Sequence, residues 1–399
     1  MKAIDRLAPN LNSLSGETTL VYQDKAREVA AKGVKIINFG IGQPDVPTPA
    51  VAREEAKLAL DQGFTGYTPA LGIDELREAI ANDLRERLKT DVKKDEVIVT
   101  PGAKASLFLA MASFVGQGDE VLLFDPAFYS YAEVTRLLGG RPVYAKLKRE
   151  PNSGFHLDMH EVEAKLSPRT KIIVLNNPSN PTAALMNRRE VEALSEIARE
   201  RGIVLLSDEI YDHFVYEGEM ASALNESSWR DYLLYVNGFS KTFSMTGWRL
   251  GYVVADKQVI SKMGTLAANT YTCANSFAQR GALAAFRAKG EVQQMVDLFK
   301  RRRDVLYTEL SKIKGVNLDL PHATFYAFLD VSKVLETAGL SVKKFSIDLI
   351  EKKGVVTIPG EVFPEEVGRM FVRLSFALGE DKIREGVKRL AEFVEEKLG

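Results

Sequence analysis

The chain has 399 residues, a net charge of -1 and 27% charged residues. That length supports two or three domains, or one large domain with a smaller companion. A near-neutral balance gives no electrostatic case for binding nucleic acid or an anionic membrane. The one cysteine, Cys273, excludes an internal disulfide and a cysteine-rich metal site, and it fits a reducing compartment. Residues 1–20 mix Lys2, Asp5, Arg6 and Glu17 with short apolar pieces and lack the apolar core of a signal peptide. No run approaches the length of a membrane span, so a cytoplasmic protein is expected. Apolar residues then recur at helical spacing over 51–60 and 72–88. Asp74 lies near the start of the second, where a carboxylate suits the helix dipole. Strand-like runs follow at 97–100, 121–124, 171–175, 203–207, 233–236 and 250–254, separated by helical segments such as 103–114 and 188–201. A long charged amphipathic stretch, 291–314, stops at Gly315, which suits a helix end. Beyond it the pattern reads strand (325–329), helix (343–352), strand (371–376), helix (380–398). The expected fold is α/β: a large domain, 45–295, with a mostly parallel central sheet covered by helices. A smaller α+β domain takes residues 296–399 and the N-terminal segment 1–44, with the junction inside the long helix.

In open α/β sheets, ligands sit outside the carboxyl ends of the strands. The strand ends here carry complementary groups. The run 233–236 leads into a small-residue loop holding Ser240 and Lys241, with Arg249 just beyond. A lysine at the end of a buried strand loses solvation, which favours its neutral, nucleophilic form. Neutral lysine is what condenses with an aldehyde cofactor, and Arg249 suits that cofactor's phosphate. Taken alone, Lys241 would be an ordinary loop lysine. Gly102, Ala103 and Lys104 open the helix 103–114, and free amides at a helix N-terminus bind phosphate. Lys104 is expected to contribute mainly its backbone there. Asp208 follows a buried apolar strand, where a carboxylate needs a positive partner such as a pyridinium nitrogen; a helix N-cap is the alternative. Arg373 lies in an alternating strand and suits bidentate pairing with a carboxylate; the alternative is an exposed edge-strand charge.

The run from Val236 to Tyr252 resembles the lysine motif of fold-type I, pyridoxal-phosphate-dependent aminotransferases of class I and II. The resemblance covers nearly the whole chain, from the Gly40 region to Phe376. It implies pyridoxal 5'-phosphate as cofactor, Lys241 as catalytic residue, and Arg249, Ser240 and the Gly102–Lys104 amides as phosphate ligands. Asp208 would meet the ring nitrogen and Tyr211 the ring hydroxyl. Asn180, in Asn180-Pro181-Thr182, would touch both that hydroxyl and the substrate carboxylate. Phe128 would stack on the ring. Arg373 and the backbone around Gly42 would hold the substrate carboxylate. Tyr67 would reach the phosphate of a neighbouring subunit, which implies a homodimer with shared sites. Cis peptides are implied at Asp125–Pro126 and Asn180–Pro181.

The expected activity is transfer of the α-amino group of an L-amino acid to a 2-oxo acid, with 2-oxoglutarate the acceptor that the resemblance implies. Ala183 and Gly238 depart from the family pattern, which leaves more of the phosphate to Ser240 and the Gly102 loop. No basic residue occurs over 263–279, whereas Tyr271 and Phe277 lie there and suit an apolar wall. Neutral amino acids are therefore expected beside acidic ones. The rivals are a β-lyase on the same fold and a non-catalytic, cofactor-binding regulator. A dinucleotide fingerprint is excluded by Asp45, and a P-loop by Ser240, each of which stands where glycine is required.

Overall fold

The computed structural model describes residues 3–14, 19–150, 153–363 and 366–399; Lys2 and Glu17 lie outside them. The predicted strands join in one seven-stranded sheet with an edge strand that the periodicity does not announce. In chain order these are β1 (Val97–Thr100), β2 (Glu120–Asp125), β3 (Arg141–Lys146), β4 (Thr170–Asn176), β5 (Val204–Asp208), β6 (Leu233–Gly238) and β7 (Gly251–Val254). Their spatial order is β1-β7-β6-β5-β4-β2-β3. Pairing is parallel from β6 through to β3, while β7 runs against both its neighbours.

Apart from the edge strand β3, both faces of this sheet are buried, which is why its other strands read as largely apolar runs rather than as alternation. Val97, Val99, Leu122 and Leu205 point into one apolar cluster with the helix Asp74–Leu88. Ile98, Val121, Leu123 and Leu206 point into another with the helix Ala103–Ala112. The period of two that sends successive residues to opposite faces thus fills two layers of core at once.

A second sheet has three antiparallel strands, β8 (Tyr326–Asp330), β9 (Ile358–Pro359) and β10 (Phe371–Ser375), in the order β8-β10-β9. Its own apolar cluster includes Phe325, Tyr326, Phe345, Leu374 and Phe393. Ile37 and Asn38 pair in parallel with Val355 and Val356, which draws the N-terminal segment onto this part of the molecule. The long helix spans Lys289–Leu310 and ends on Ser311, short of Gly315. Ile313 and Val316 turn inward to the same core as Leu310, so the chain leaves the helix early, and Gly315 takes up φ +88° in the turn that follows. Cis peptides occur at Asp125–Pro126 and Asn180–Pro181, and also at Asn177–Pro178. Among the described residues, no helix is long and apolar enough to cross a membrane.

Candidate active site

The carboxyl ends of β1, β2, β4, β5 and β6 open onto one cavity of about 340 Å³. β1 delivers Ala103 and Lys104, β2 Phe128, β4 Asn176 and Asn180, β5 Asp208 and Tyr211, and β6 Ser240 and Lys241. β10 of the small sheet adds Arg373 from the other side, and the segment after Ile37–Asn38 adds Gly40 and Gly42.

The reversed strand β7 explains how Arg249 arrives. The chain leaves β6 at Gly238, loops through Lys241, and must turn back before it can pair with β6 again. Arg249 takes φ +57° in that return. Its guanidinium then lies against Gly102, the N-cap of the helix Ala103–Ala112. Gly102 has φ +97°, and a Cβ there would collide with the Arg249 terminal nitrogens. The result is a small cradle with a guanidinium on one side and free helix amides on another, suited to an anion.

Lys241 Nζ donates to the Gly42 carbonyl at 2.5 Å. Burial, with help from the nearby positive charges of Arg373 and Arg249, lowers its pKa to about 8. Asp208 is 4% exposed. Its Oδ2 accepts from the Tyr131 hydroxyl at 2.8 Å, and Oδ1 accepts from the Ile210 amide at 3.2 Å. Burial raises its pKa to about 6, although these hydrogen bonds and the charge of Lys241 pull the other way. The helix N-cap alternative fails, because Val204–Asp208 runs into a turn and not into a helix, and the Ile210 bond closes that turn. Asn176 ties the group together: its Nδ2 donates to the Asp208 carbonyl at 2.9 Å, and its Oδ1 accepts from the Asn180 amide at 2.8 Å.

Arg373 is 3% exposed and sits on the central strand of its sheet, which removes the edge-strand alternative. Its Nη1 donates to Asn180 Oδ1 at 3.1 Å and its Nη2 to the Gly40 carbonyl at 3.0 Å. Its buried Nε has no hydrogen-bond partner among the described residues. The guanidinium carbon lies 4.4 Å from the ring centre of Tyr326 and 5.0 Å from that of Phe363.

The family model described as aminotransferase class I and II matches residues 34–390. The chain belongs to this family. An aspartate aminotransferase of Sulfurisphaera tokodaii is 59% identical over 98% of both chains. An aromatic-amino-acid aminotransferase of Thermococcus litoralis is 35% identical over 96% of this chain and 99% of its own. The solved structure of Thermus thermophilus aspartate aminotransferase with maleate superposes with a TM-score of 0.90 at 34% identity, over 98% of this chain and 100% of that one. This aminotransferase therefore moves an amino group from an amino acid to a 2-oxo acid, and the lyase and regulator readings are not favoured.

Most of the residues singled out from the sequence come together in the aminotransferase cavity. Lys104 differs from expectation. Its side chain reaches over the cavity, with Nζ 5.3 Å from the Phe128 ring centre and 5.1 Å from that of Tyr129. Tyr271 and Phe277 are not among the residues lining the cavity of a single chain; Tyr271 packs on an apolar cluster instead. Tyr67 is 90% exposed and also lies outside the cavity of its own chain. The sequence reading missed Tyr131, Asn176 and Tyr326, all of which line the cavity. Tyr131 stands one helical turn beyond Phe128, the only cue that it shares that face.

Proposed function

We propose that this aminotransferase holds pyridoxal 5'-phosphate in this cavity and uses aspartate as a preferred amino donor, with 2-oxoglutarate as acceptor. The observation that carries the reading is a buried lysine with its pKa lowered to about 8, opposite a buried carboxylate, beside an arginine-and-helix anion cradle. The donor set fits the cofactor. Asp208 is an anion in need of a cation, which a protonated ring nitrogen supplies. Ser240, Arg249 and the Gly102–Lys104 amides suit the phosphate. Phe128 suits the ring face, and Tyr211, as donor, and Asn180 suit the ring oxygen. When bound, pyridoxal phosphate supplies a pyridinium ring that withdraws electrons from the substrate Cα.

Arg373 orients the substrate α-carboxylate, with Asn180 and the Gly42 backbone beside it. Bidentate pairing by a buried guanidinium fixes the Cα–H direction as well as the charge. Lys241 Nζ takes the proton from Cα and holds it for return, which its lowered pKa favours near neutral pH. Asp208 keeps its charge against the ring nitrogen.

Among the described residues of one chain, the cations lining the cavity are Lys104, Lys241, Arg249 and Arg373. With the last three committed to cofactor and α-carboxylate, Lys104 remains for the distal carboxylate of an acidic substrate. Its exposure leaves room for neutral side chains as well.

Tyr67 serves the phosphate site of a second copy of the chain, and its 90% exposure in one chain supports that reading. The working form is then a cytoplasmic homodimer with shared sites. Each copy divides into a large domain, 45–295, and a small one made of 1–44 and 296–399.

Borohydride reduction of the cofactor-loaded protein, followed by peptide mapping, tests the reading. The cofactor should be fixed on Lys241 alone; fixation on another lysine overturns it.

A further inference from the structure

Tyr326 touches both halves of the site yet has no part in the chemistry described so far. It is 1% exposed and lines the cavity from β8. Phe328 on β8 is the register partner of Arg373 on β10. Tyr326 stands two residues from Phe328 and so shares a face with Arg373 on the diagonal. Its ring lies under the guanidinium at 4.4 Å, and its hydroxyl lies 3.1 Å from that of Tyr211. The two tyrosine rings meet edge to face, 5.6 Å between centres, so neither hydroxyl moves without the other. Gly42 completes the setting: a Cβ there would lie 2.7 Å from Tyr326 Oη and an ordinary 3.8 Å from Cζ. The missing side chain at Gly42 thus makes room for the Tyr326 hydroxyl in particular.

We propose that Tyr326 is a positioning residue that joins the cofactor half of the site to the substrate half, its hydroxyl orienting Tyr211 and its ring supporting Arg373. The proposal rests on the cofactor reading above, in which Tyr211 donates its proton to the ring oxygen. A hydroxyl has one proton to donate. If Tyr211 spends it on the ring oxygen, then the Tyr211–Tyr326 bond has Tyr326 as donor. Burial raises the pKa of both phenols, so both keep their protons. A hydroxyl that accepts one hydrogen bond donates a stronger one. Tyr326 therefore strengthens Tyr211 as a donor and fixes its direction.

The test is the pH titration of the cofactor's visible band in Tyr326→Phe, Tyr211→Phe and the double variant. A donor at the ring oxygen stabilises the more negative form of the chromophore, so weakening it raises the apparent pKa. Tyr326→Phe should shift the titration upward by about half a pH unit to one unit, the size of one neutral hydrogen bond. In the Tyr211→Phe background the second substitution should do nothing. A silent Tyr326→Phe beside a shifted Tyr211→Phe overturns this proposal and leaves the cofactor reading standing. A silent Tyr211→Phe overturns both.

Maleate binding reads the ring separately. Tyr326→Phe should leave its dissociation constant within about twofold, whereas Tyr326→Leu, which removes the cation–π face, should weaken it about ten- to thirtyfold. Equal losses in the two variants overturn the assignment of the ring to Arg373. A third measurement needs no cofactor. Gly42→Ala should lower the melting temperature of the wild type and be relieved in Tyr326→Phe. An undiminished effect of Gly42→Ala in that background overturns the placement of the hydroxyl.

Discussion

Replacing Lys104 by Met keeps an unbranched stem one atom shorter and removes the ammonium charge, so it tests the recognition of an acidic substrate. The magnitude follows from where Lys104 sits. Unit charges 4 Å apart attract by about 1 kcal/mol in bulk water and about 4 kcal/mol near a protein surface. Lys104 is exposed, and exposed ion pairs retain only about 0.2–1 kcal/mol of such an attraction. Hydrogen bonds to charged groups contribute about 1.5–3 kcal/mol when better sheltered. The mouth of the cavity, with Phe128 and Tyr129 beside the ammonium, lies between these limits, at about 1–2 kcal/mol. Aspartate kcat/KM should then fall about 5- to 30-fold in Lys104→Met. Alanine and phenylalanine should change by less than about twofold, since neither carries a distal charge. Initial rates with the three donors at fixed 2-oxoglutarate make the comparison, and raising the ionic strength should narrow the wild-type preference for aspartate. An equal fall for all three donors would mean that Lys104 serves the cofactor instead. An unchanged aspartate rate would remove it from substrate recognition.

Arg373→Ala should lower kcat/KM for every amino donor by about thirtyfold or more, because breaking a buried charge pair costs about 2–5 kcal/mol; a loss confined to one donor would take Arg373 out of the α-carboxylate role. Gly102→Ala should weaken cofactor binding, since its φ of +97° and the Arg249 guanidinium leave no place for a methyl group; equilibrium dialysis against pyridoxal phosphate measures the loss, and unchanged affinity would refute the cradle. In the cofactor-free protein, Lys241→Met should raise the melting temperature at pH 7. Burial lowers the lysine pKa from 10.5 to about 8, so the folded state carries its full penalty below pH 8 and loses it as pH rises toward 10.5. The gain should therefore fade across that range, and a pH-independent gain would point to packing rather than charge.

The parts of the site that could be read from the sequence are those that interrupt a pattern. Lys241, Asp208 and Asn180 each follow a buried apolar run, and Arg373 breaks an alternating one. A charge in such a place needs a reason. Tyr326 has no such contrast: it lies inside the apolar run 325–329 and looks like one more core aromatic. Its cue lies far away, in the smallness of Gly42. Lys104 was legible as a helix opening, but the direction of its side chain was not, because Phe128 and Tyr129 reach it only through the fold. The edge strand β3 was missed because Arg141, Pro142 and Lys146 leave no apolar run. It is half-exposed along most of its length, so burial imposes no strict pattern. The helix Thr19–Ala31 was missed for a related reason: it buries only Tyr22, Ala26 and Val29, a stripe too narrow to stand out.

The hydrogen bond from Arg373 to the Gly40 carbonyl spans 333 positions of sequence. A ribosome adding about 5–20 residues per second makes Gly40 roughly 20 to 70 seconds before its partner. For most of that interval Ile37 and Asn38 lack the Val355–Val356 strand that pairs with them, and Lys241 emerges with no settled Gly42 carbonyl to hold it. The large sheet can close in the meantime, because all its strands lie before Ala255. The nascent chain thus carries a closed large sheet around an unfinished site, and a message truncated before Arg373 would lose the group that grips the substrate together with the central strand of the small sheet and the last helix of its core.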